Sequence, residues 1–476
     1  MTDFSSICVS LKLFFSDSDC ESEENILLDY VDEKKNNLDF ISKATSKKWY
    51  VLALYSMTSF CQVIVWNTWS PIAKSALYAF PTWRESTIAL LNNWGSITFL
   101  FFIAPCCWLL KEKGLRTSFV LSSFLCMSGS GIRLLTTKEE LFTLFAHFGA
   151  ILNSIGGVIL SPAIVQLSST WFQPNQRTSA TGIGTSLSLL GIAGSYLIGP
   201  FVVNEPSAFE DKLQLSSGRT LIRQQILQYL IMCFAMELLL FLLILFTFPD
   251  KPKVPASRSS ILRMTQESPF LKAIKGTLSN LEFWKLSLAN GLCSGISGPW
   301  LSLLTIIFAQ TGISQKETAQ LGFWTIICSC LMGLSVSKAS DLRPGHIKTI
   351  LIVLMAFSDF MFIWILLLTT RTLEFNKGTF SIVVIGGLSV LWASPALYYE
   401  LAAEVNYPIS EEITAGCMMA ISNFCTCLIY AELYIFPRAN VGWMNYCMVV
   451  FGLIALFLLI YVKGNYKRLV LDVGKH

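Results

Sequence analysis

The chain has 476 residues, of which 53% are hydrophobic and 14% are charged, and its mean hydropathy is +0.57. This composition excludes a soluble domain of that length and indicates a membrane protein with many spans. The net charge of +4 is modest, and we expect no nucleic-acid partner. The 14 cysteines have no zinc-like spacing, and no two of the three histidines form a ligand pair, so we predict neither a metal nor a cofactor.

Residues 1–48 are polar and acidic and lack the layout of a cleaved signal, which predicts a disordered cytosolic tail. Within this tail, Glu23-Glu24-Asn25-Ile26-Leu27-Leu28 fits the acidic dileucine pattern. Endosomal and lysosomal sorting adaptors bind such signals, with Glu23, Leu27 and Leu28 as the residues recognised. The pattern directs a protein to a membrane rather than anchoring it there.

Apolar segments of about 20 residues can cross the hydrocarbon core of a bilayer. Segments of this kind lie at 49–71, 86–110, 115–135, 142–169, 179–203, 226–248, 284–309, 319–339, 347–369, 379–403, 412–437 and 442–462. Lys and Arg are concentrated in the tails and alternate loops, which predicts that both termini are cytosolic. The even number of spans agrees with this topology.

The spans divide into two halves, 49–248 and 284–462, followed by a cytosolic tail at 463–476. The basic segment 249–283 between the halves is interpreted as a cytosolic linker. It contains a possible amphipathic helix with Phe270, Ile274 and Leu278 on one face, which we expect to lie on the inner membrane surface.

The two halves resemble each other. Pro174 and Gly182 in the first half stand at the same separation from Pro408 and Gly416 in the second. A transporter built from two such repeats binds its substrate between them, near the bilayer midplane.

Charged turns follow the second and eighth spans. Asp341, Arg343, Gly345 and Lys348 in the later turn match the loop signature of the major facilitator superfamily, whereas the earlier turn, 111–116, departs from it. The resemblance implies an all-α membrane protein with twelve transmembrane helices in a pseudo-symmetric 6+6 fold. Such a turn can bind charges and helix ends in one conformation and release them in another, so we expect Asp341, Arg343 and Lys348 to act in gating.

Three further motifs resemble solute carrier family 49. They are Trp66-Asn67-Thr68-Trp69-Ser70-Pro71-Ile72, Glu400-x-x-x-Glu404-x-x-Tyr407-Pro408-x-x-Glu411, and Tyr466-Lys467-Arg468-Leu469-x-Leu471-Asp472-Val473. The last motif and the dileucine tail are most similar to the lysosomal branch of that family. The resemblance implies a proton-dependent transporter of the lysosomal membrane with pyridoxine as its substrate. Relatives carry choline, ethanolamine or haem-related cargo, which stay open as alternatives.

Aromatic and amide side chains in the spans are candidate substrate contacts. Trp66 and Trp69 share a helix face, and Trp300 follows Gly298-Pro299, where a helix can break. Aromatic rings there can stack on a pyridine ring or hold an organic cation, although they can equally belong to interfacial belts. The remaining candidates are Asn67, Asn153 and Tyr399.

Acidic residues in the spans are candidates for proton coupling because an ionised carboxylate in a membrane helix is costly. Glu400 is the first candidate and Glu237 the second. Glu400 and Glu404 lie one turn apart on one helix face. A fixed ion pair of Glu400 with Lys338 or Arg133 is the competing interpretation. Glu412 is expected in the headgroup region, and Asp359 in a structural pair.

The motifs favour a secondary transporter that exchanges a small molecule and protons across a lipid membrane. A membrane receptor or scaffold that keeps the fold without carrying substrate is the second hypothesis, but it would not need a buried carboxylate such as Glu400. No Ser-His or paired-His arrangement supports an enzyme. The sequence also has no nucleotide-binding loop, which argues against ATP-driven pumping.

Overall fold

The computed structural model describes residues 38–136, 138–204, 215–249, 251–252, 269–302, 304–307, 315–435, 442–464 and 466–473. The sorting residues Glu23, Leu27 and Leu28 lie outside these ranges. The chain divides into two compact units, Met1–Tyr50 and Val51–His476. The first unit is described only from Leu38, where a helix begins, and the candidate site lies in the second unit.

The described residues contain helices and no strand, which confirms the predicted all-α class. The helices are α1 (Leu38–Trp66), α2 (Ala73–Ala79), α3 (Glu85–Ile132), α4 (Glu139–Trp171), α5 (Arg177–Val202), α6 (Leu215–Thr247), α7 (Phe270–Ser279), α8 (Leu281–Ser302), α9 (Leu304–Ile307), α10 (Gln315–Leu342), α11 (Ile347–Thr369), α12 (Lys377–Ala393), α13 (Pro395–Asn406), α14 (Glu411–Ile435), α15 (Trp443–Ile460) and α16 (Lys467–Val473). A short 3₁₀ turn, Pro174–Gln176, precedes α5.

Ten stretches among the described helices are long and apolar enough to cross a membrane. One of them, Ser86–Ile132 in α3, has 47 residues, about twice the length that a single crossing needs. It bends at Gly114, whose φ of 77° is open to glycine without steric cost, so α3 supplies two crossings. With α8, the described helices accommodate the twelve predicted spans.

Two predicted segments differ in detail from the structure. The tenth span, expected as one helix over 379–403, is interrupted between Ala393 and Pro395, because a proline begins a helix readily but cannot continue one. The linker helix α7 is present, but it buries Ala273 and Thr277, whereas Leu278 of the predicted apolar face is 41% exposed. Phe270 and Ile274 of the predicted face are partly buried and pack against the apolar core, so only Leu278 of the three points away from it.

The apolar core consists of several clusters, some of which contain residues from both halves. The C-terminal half packs around side chains that include Leu397, and the N-terminal half packs around two clusters that include Phe119 and Phe142. In a membrane, close van der Waals contact between helices takes over part of the role that hydrophobic burial has in water.

Two glycines lie in close contacts between the halves. A Cβ atom on Gly182 of α5 would stand 2.2 Å from Ser337 Oγ of α10, and one on Gly416 of α14 would stand 2.2 Å from Cys107 Sγ of α3. These glycines are the pair that the sequence repeat equated. Both lie near the N-terminus of their helix, at the end of the bundle where Asp341 lies, which we call the Asp341 end. The repeat therefore corresponds to two matched contacts between the halves.

We predict that Gly182→Val destabilises the folded protein by about 1–3 kcal/mol, because the added methyl groups overlap Ser337. Thermal unfolding of the purified protein, followed by intrinsic fluorescence, measures the change. Gly322→Val is the matched control, since no atom lies within 4 Å of a Cβ built on Gly322. Equal unfolding temperatures for the two variants would contradict the prediction.

Candidate functional site

Asp341, near the C-terminus of α10, connects the two halves. Its carboxylate accepts hydrogen bonds from the backbone N–H groups of Thr178 (3.1 Å) and Ser179 (2.7 Å) in the first turn of α5. These N–H groups have no partner within their own helix, and the positive end of the helix dipole favours a carboxylate there. Asp341 is 6% exposed, so the contact is largely shielded from water. It joins α10 of one half to the first turn of α5 in the other.

The other two residues of the predicted gating set lie outside this contact. Arg343 is exposed on the turn after α10. The Lys348 ammonium donates to the carbonyl of Ile460 at the end of α15, at 2.9 Å. The turn itself depends on Gly345, whose φ of 83° lies in the left-handed region. Of the three predicted residues, only Asp341 makes a hydrogen bond or ion pair with the opposite half among the residues that the structure describes.

Arg468 of α16 is buried among three carboxylates, Glu400, Glu404 and Glu411, which we call the carboxylate cluster. Its Nε donates to Glu404 at 3.0 Å, its Nη1 donates to Glu411 at 3.4 Å, and its Nη2 donates to Glu400. The arginine is 2% exposed. Its planar fork of five N–H donors suits several carboxylates at once.

Local sequence explains how the cluster assembles. Glu400 and Glu404 lie one turn apart on α13, and Glu411 begins α14, where a negative side chain is favourable. Burial alone would disfavour the charge of Arg468, but Glu400 and Glu404 outweigh that effect and raise the pKa of Arg468 above its usual value. The cluster therefore contains a permanent positive charge.

The backbone of the C-terminal segment fixes Arg468 in place. The N–H of Leu469 donates to Glu404 Oε2 at 3.1 Å. The hydroxyl of Tyr466 accepts a hydrogen bond from the N–H of Lys348 at 3.1 Å, which ties α16 to the first turn of α11. A small cavity joins this region to the contact between the halves, and its walls include Asp341, Arg177 and Arg468.

Glu400 is thus ion-paired, as one interpretation of the sequence expected, but the partner is Arg468 rather than Lys338 or Arg133. Arg133 lies in the other half, where its Nη1 donates to the carbonyl of Val65 at 3.2 Å. Glu412, expected among the lipid headgroups, is 2% exposed because the start of α14 packs inside the bundle.

Glu237 of α6 has a different environment. Its side chain is completely buried, and neither carboxylate oxygen has a hydrogen-bond partner among the described residues. The thiols of Cys61, Cys126 and Cys233 lie near it. An ionised carboxylate without a donor or a cation is costly in such surroundings, so they suit the protonated form.

Candidate substrate contacts in the N-terminal half lie at the junctions of α1 with its neighbours. The indole N–H of Trp66, which is half-buried, donates to the carbonyl of Asn92 at 3.0 Å. Asn67 donates to Ser195 Oγ of α5 at 2.8 Å. Asn153 is fully buried and donates to the carbonyl of Gln62 at 3.2 Å.

The remaining aromatic candidates occupy three separate places. Trp69 is 1% exposed and packs edge-on against Trp83, with ring centroids 5.0 Å apart. Trp300 is fully buried, and its N–H donates to Asn445 Oδ1 at 2.8 Å. Tyr399 is half-buried and packs against apolar clusters of both halves. The structure therefore places Tyr399 between the halves, and Trp69 and Trp300 each within one half.

Sequence reasoning assigned no role to Arg468 or to Gln62. Arg468 is part of the carboxyl-terminal motif that carried the family resemblance, which was the available signal. Gln62 donates to the carbonyl of Asn153 at 3.3 Å, so the two amides form a reciprocal pair between α1 and α4.

Comparison with known proteins places this geometry in context. The family described as Major Facilitator Superfamily matches residues 51–431. A solute carrier family 49 member 4 homolog of Xenopus tropicalis is 32% identical over 443 residues, covering 90% of this chain and 93% of that protein. The human choline/ethanolamine transporter FLVCR2 is 23% identical over 444 residues, covering 90% of this chain and 79% of that protein.

Solved structures show the same fold. The fucose:proton symporter FucP of E. coli superposes with a TM-score of 0.67 at 12% identity, covering 87% of this chain and 98% of that chain. The proton:xylose symporter XylE superposes with a TM-score of 0.61 at 13% identity, covering 89% of this chain and 98% of that chain.

We predict that Asp341→Asn loosens the contact at the Asp341 end. Asparagine keeps one acceptor oxygen but loses the charge, and hydrogen bonds to charged groups contribute about 1.5–3 kcal/mol. Amide hydrogen exchange of the first turn of α5 should therefore become faster. Arg343→Gln, at an exposed position of the same turn, is the control. Unchanged exchange at Thr178 and Ser179 in the Asp341 variant would show that this carboxylate does not hold the halves together.

Proposed function

The chain belongs to solute carrier family 49 of the major facilitator superfamily, and from that premise we propose a proton-dependent secondary transporter that moves a small polar or cationic metabolite across the lysosomal membrane. The family and the fold are those of transporters and not of enzymes. The single observation that best supports active transport is the Asp341 contact, which closes one end of the bundle through a few polar bonds. Such bonds can be released when the halves rock about a central site.

Glu237 is the stronger of the two proposed proton carriers. Its buried carboxylate lacks a described donor, so a bound proton would relieve the cost of its charge. Glu400 already has Arg468 beside it, and this cation balances its negative charge. In the proposed cycle, Glu237 takes a proton from the acidic lumen and releases it towards the cytosol.

Pyridoxine is the substrate that we propose to test first. Trp66 and Tyr399 keep exposed surface on which a planar ring could stack, and the buried amides of Asn67, just after α1, and Asn153 of α4 are further polar groups in the N-terminal half. Choline and ethanolamine are the second candidates, because the FLVCR2 relative carries them in its name. Stacking aromatic rings can also bind organic cations, so the residue types favour both classes.

We propose a lysosomal location with both termini in the cytosol, on the strength of the dileucine pattern at Glu23, Leu27 and Leu28 and of the distribution of basic residues. Changing Leu27 and Leu28 to alanine should move the protein to the plasma membrane, as fluorescence imaging in cells would show. Glu85→Gln, which alters another acidic residue outside the signal, serves as the control. Lysosomal staining that survives the double leucine change would remove the signal from the proposal.

Uptake into proteoliposomes of labelled pyridoxine, choline and ethanolamine, at an acidic and a neutral pH, tests transport directly. Acid on the side that corresponds to the lumen should stimulate uptake of the true substrate. Glu237→Gln should abolish this stimulation while leaving exchange of substrate intact, because glutamine resembles the protonated acid. Glu400→Gln is the matched comparison.

Two outcomes would contradict these assignments. Wild-type pH dependence in a well-folded Glu237→Gln protein would exclude Glu237 as the proton carrier, and loss of that dependence in Glu400→Gln alone would transfer the role to Glu400. Folded wild-type protein that moves none of the three compounds would favour the receptor or scaffold hypothesis.

A further inference from the structure

We propose that Arg468 is a positioning residue of the transport cycle, which keeps the Asp341 end closed by compensating the carboxylate cluster behind it. The inference rests on the proposed transport function, since it assigns the C-terminal helix α16 a part in opening and closing. Arg468 acts through Asp341 and does not touch substrate in this proposal.

The charges at this end are unequal. The cavity wall brings Asp341 together with Glu400 and Glu404, and Glu411 joins them through Arg468. The cations on the same wall are Arg468 and Arg177, and Arg177 belongs to the first turn of α5 in the other half. Four carboxylates thus share two guanidinium groups while the halves are in contact.

Removing Arg468 would take away the guanidinium group that binds Glu400 and Glu404. Like charges in a low-dielectric interior repel strongly, and a buried charge that loses its partner is much more costly than an intact pair. Water can reduce this cost only by entering, and the cavity lies directly behind the Asp341 contact. All of these carboxylates belong to the C-terminal half, so entry of water through the Asp341 contact, rather than repulsion between the halves, is what favours opening at this end.

The position of Arg468 is also coupled to the turn that carries Asp341. The Tyr466 hydroxyl accepts a hydrogen bond from the N–H of Lys348. Leu469 packs beside Gly345, with its Cδ2 atom 3.8 Å from where a Cβ on Gly345 would stand. Because Lys348 and Gly345 follow Asp341 in the same turn, any movement of that turn disturbs the docking of α16. Opening of the Asp341 end and release of Arg468 are then two parts of one change.

Amide hydrogen exchange of the first turn of α5 tests this without any substrate. The Thr178 and Ser179 N–H groups are protected by Asp341, so their exchange reports opening of this end. Arg468→Gln should raise their exchange rate at least several-fold. Lys467→Gln removes the same charge from an exposed neighbour on α16 and should leave the rate unchanged.

A second variant separates electrostatics from packing. Adding Glu400→Gln to Arg468→Gln removes one uncompensated carboxylate and should return the exchange rate towards the wild-type value. Arg468→Lys, which keeps the charge but loses the fork of donors, should lie between wild type and Arg468→Gln. If Arg468→Gln does not fold, the comparison of Arg468→Lys with wild type carries the test.

Wild-type exchange in a folded Arg468→Gln protein, or in Arg468→Lys where that variant carries the test, would overturn the proposal. An equal effect of Lys467→Gln would overturn it as well, because the tail charge in general would then be responsible. Failure of the uptake assay would bear on the proposed function alone, since the exchange measurement follows opening in the absence of any transported compound.

Discussion

The structure of the Asp341 end depends on one constraint, which is that every buried carboxylate needs a cation or hydrogen-bond donors in contact with it. A bundle that brings Glu400, Glu404 and Glu411 inside must supply a cation in contact with them, and Arg468 does so from a helix that follows the last span. Asp341 solves the same problem differently, with the N–H groups of a helix terminus in the other half. One carboxylate thus joins the halves, and three others bind the C-terminal helix to its own half.

The two halves are alike in backbone but not in charge. The glycines at 182 and 416 are equivalent, and each brings its helix against the opposite half. The carboxylates are not equivalent. In the first half, the segment around Phe172 has no pair of acids that corresponds to Glu400 and Glu404. Glu237, a buried acid for which the described residues offer no hydrogen-bond donor, lies in the first half. Glu400 in the second half therefore has a cation beside it, whereas Glu237 in the first half has no described donor.

The fold was predictable because each crossing requires a long apolar run, and such runs are visible without knowledge of their neighbours. Asp341 was predictable because it belongs to a short motif within one turn. The partner of Glu400 was not predictable. Arg468 lies 68 residues away, and nothing in the sequence of a seven-residue helix indicates which carboxylate its arginine will bind. Tryptophan spacing was likewise insufficient. Trp66, Trp69 and Trp300 all have positions typical of a cavity wall, yet only contacts with Trp83 and Asn445 reveal that two of them are fully packed.

The glycine contacts and the charged contacts at the Asp341 end contribute in different ways. Contact at Gly182 and Gly416 is a matter of excluded volume, so it determines how near the helix axes can come but adds little attraction that must be broken. The charged contacts are few and directional, so in the proposed transport cycle they would determine how long the closed arrangement lasts. Substitutions at the glycines should accordingly alter the geometry of closure, whereas substitutions at the ions should alter its lifetime. The distance between the helices of the two halves and the lifetime of the closed arrangement can therefore change independently of each other.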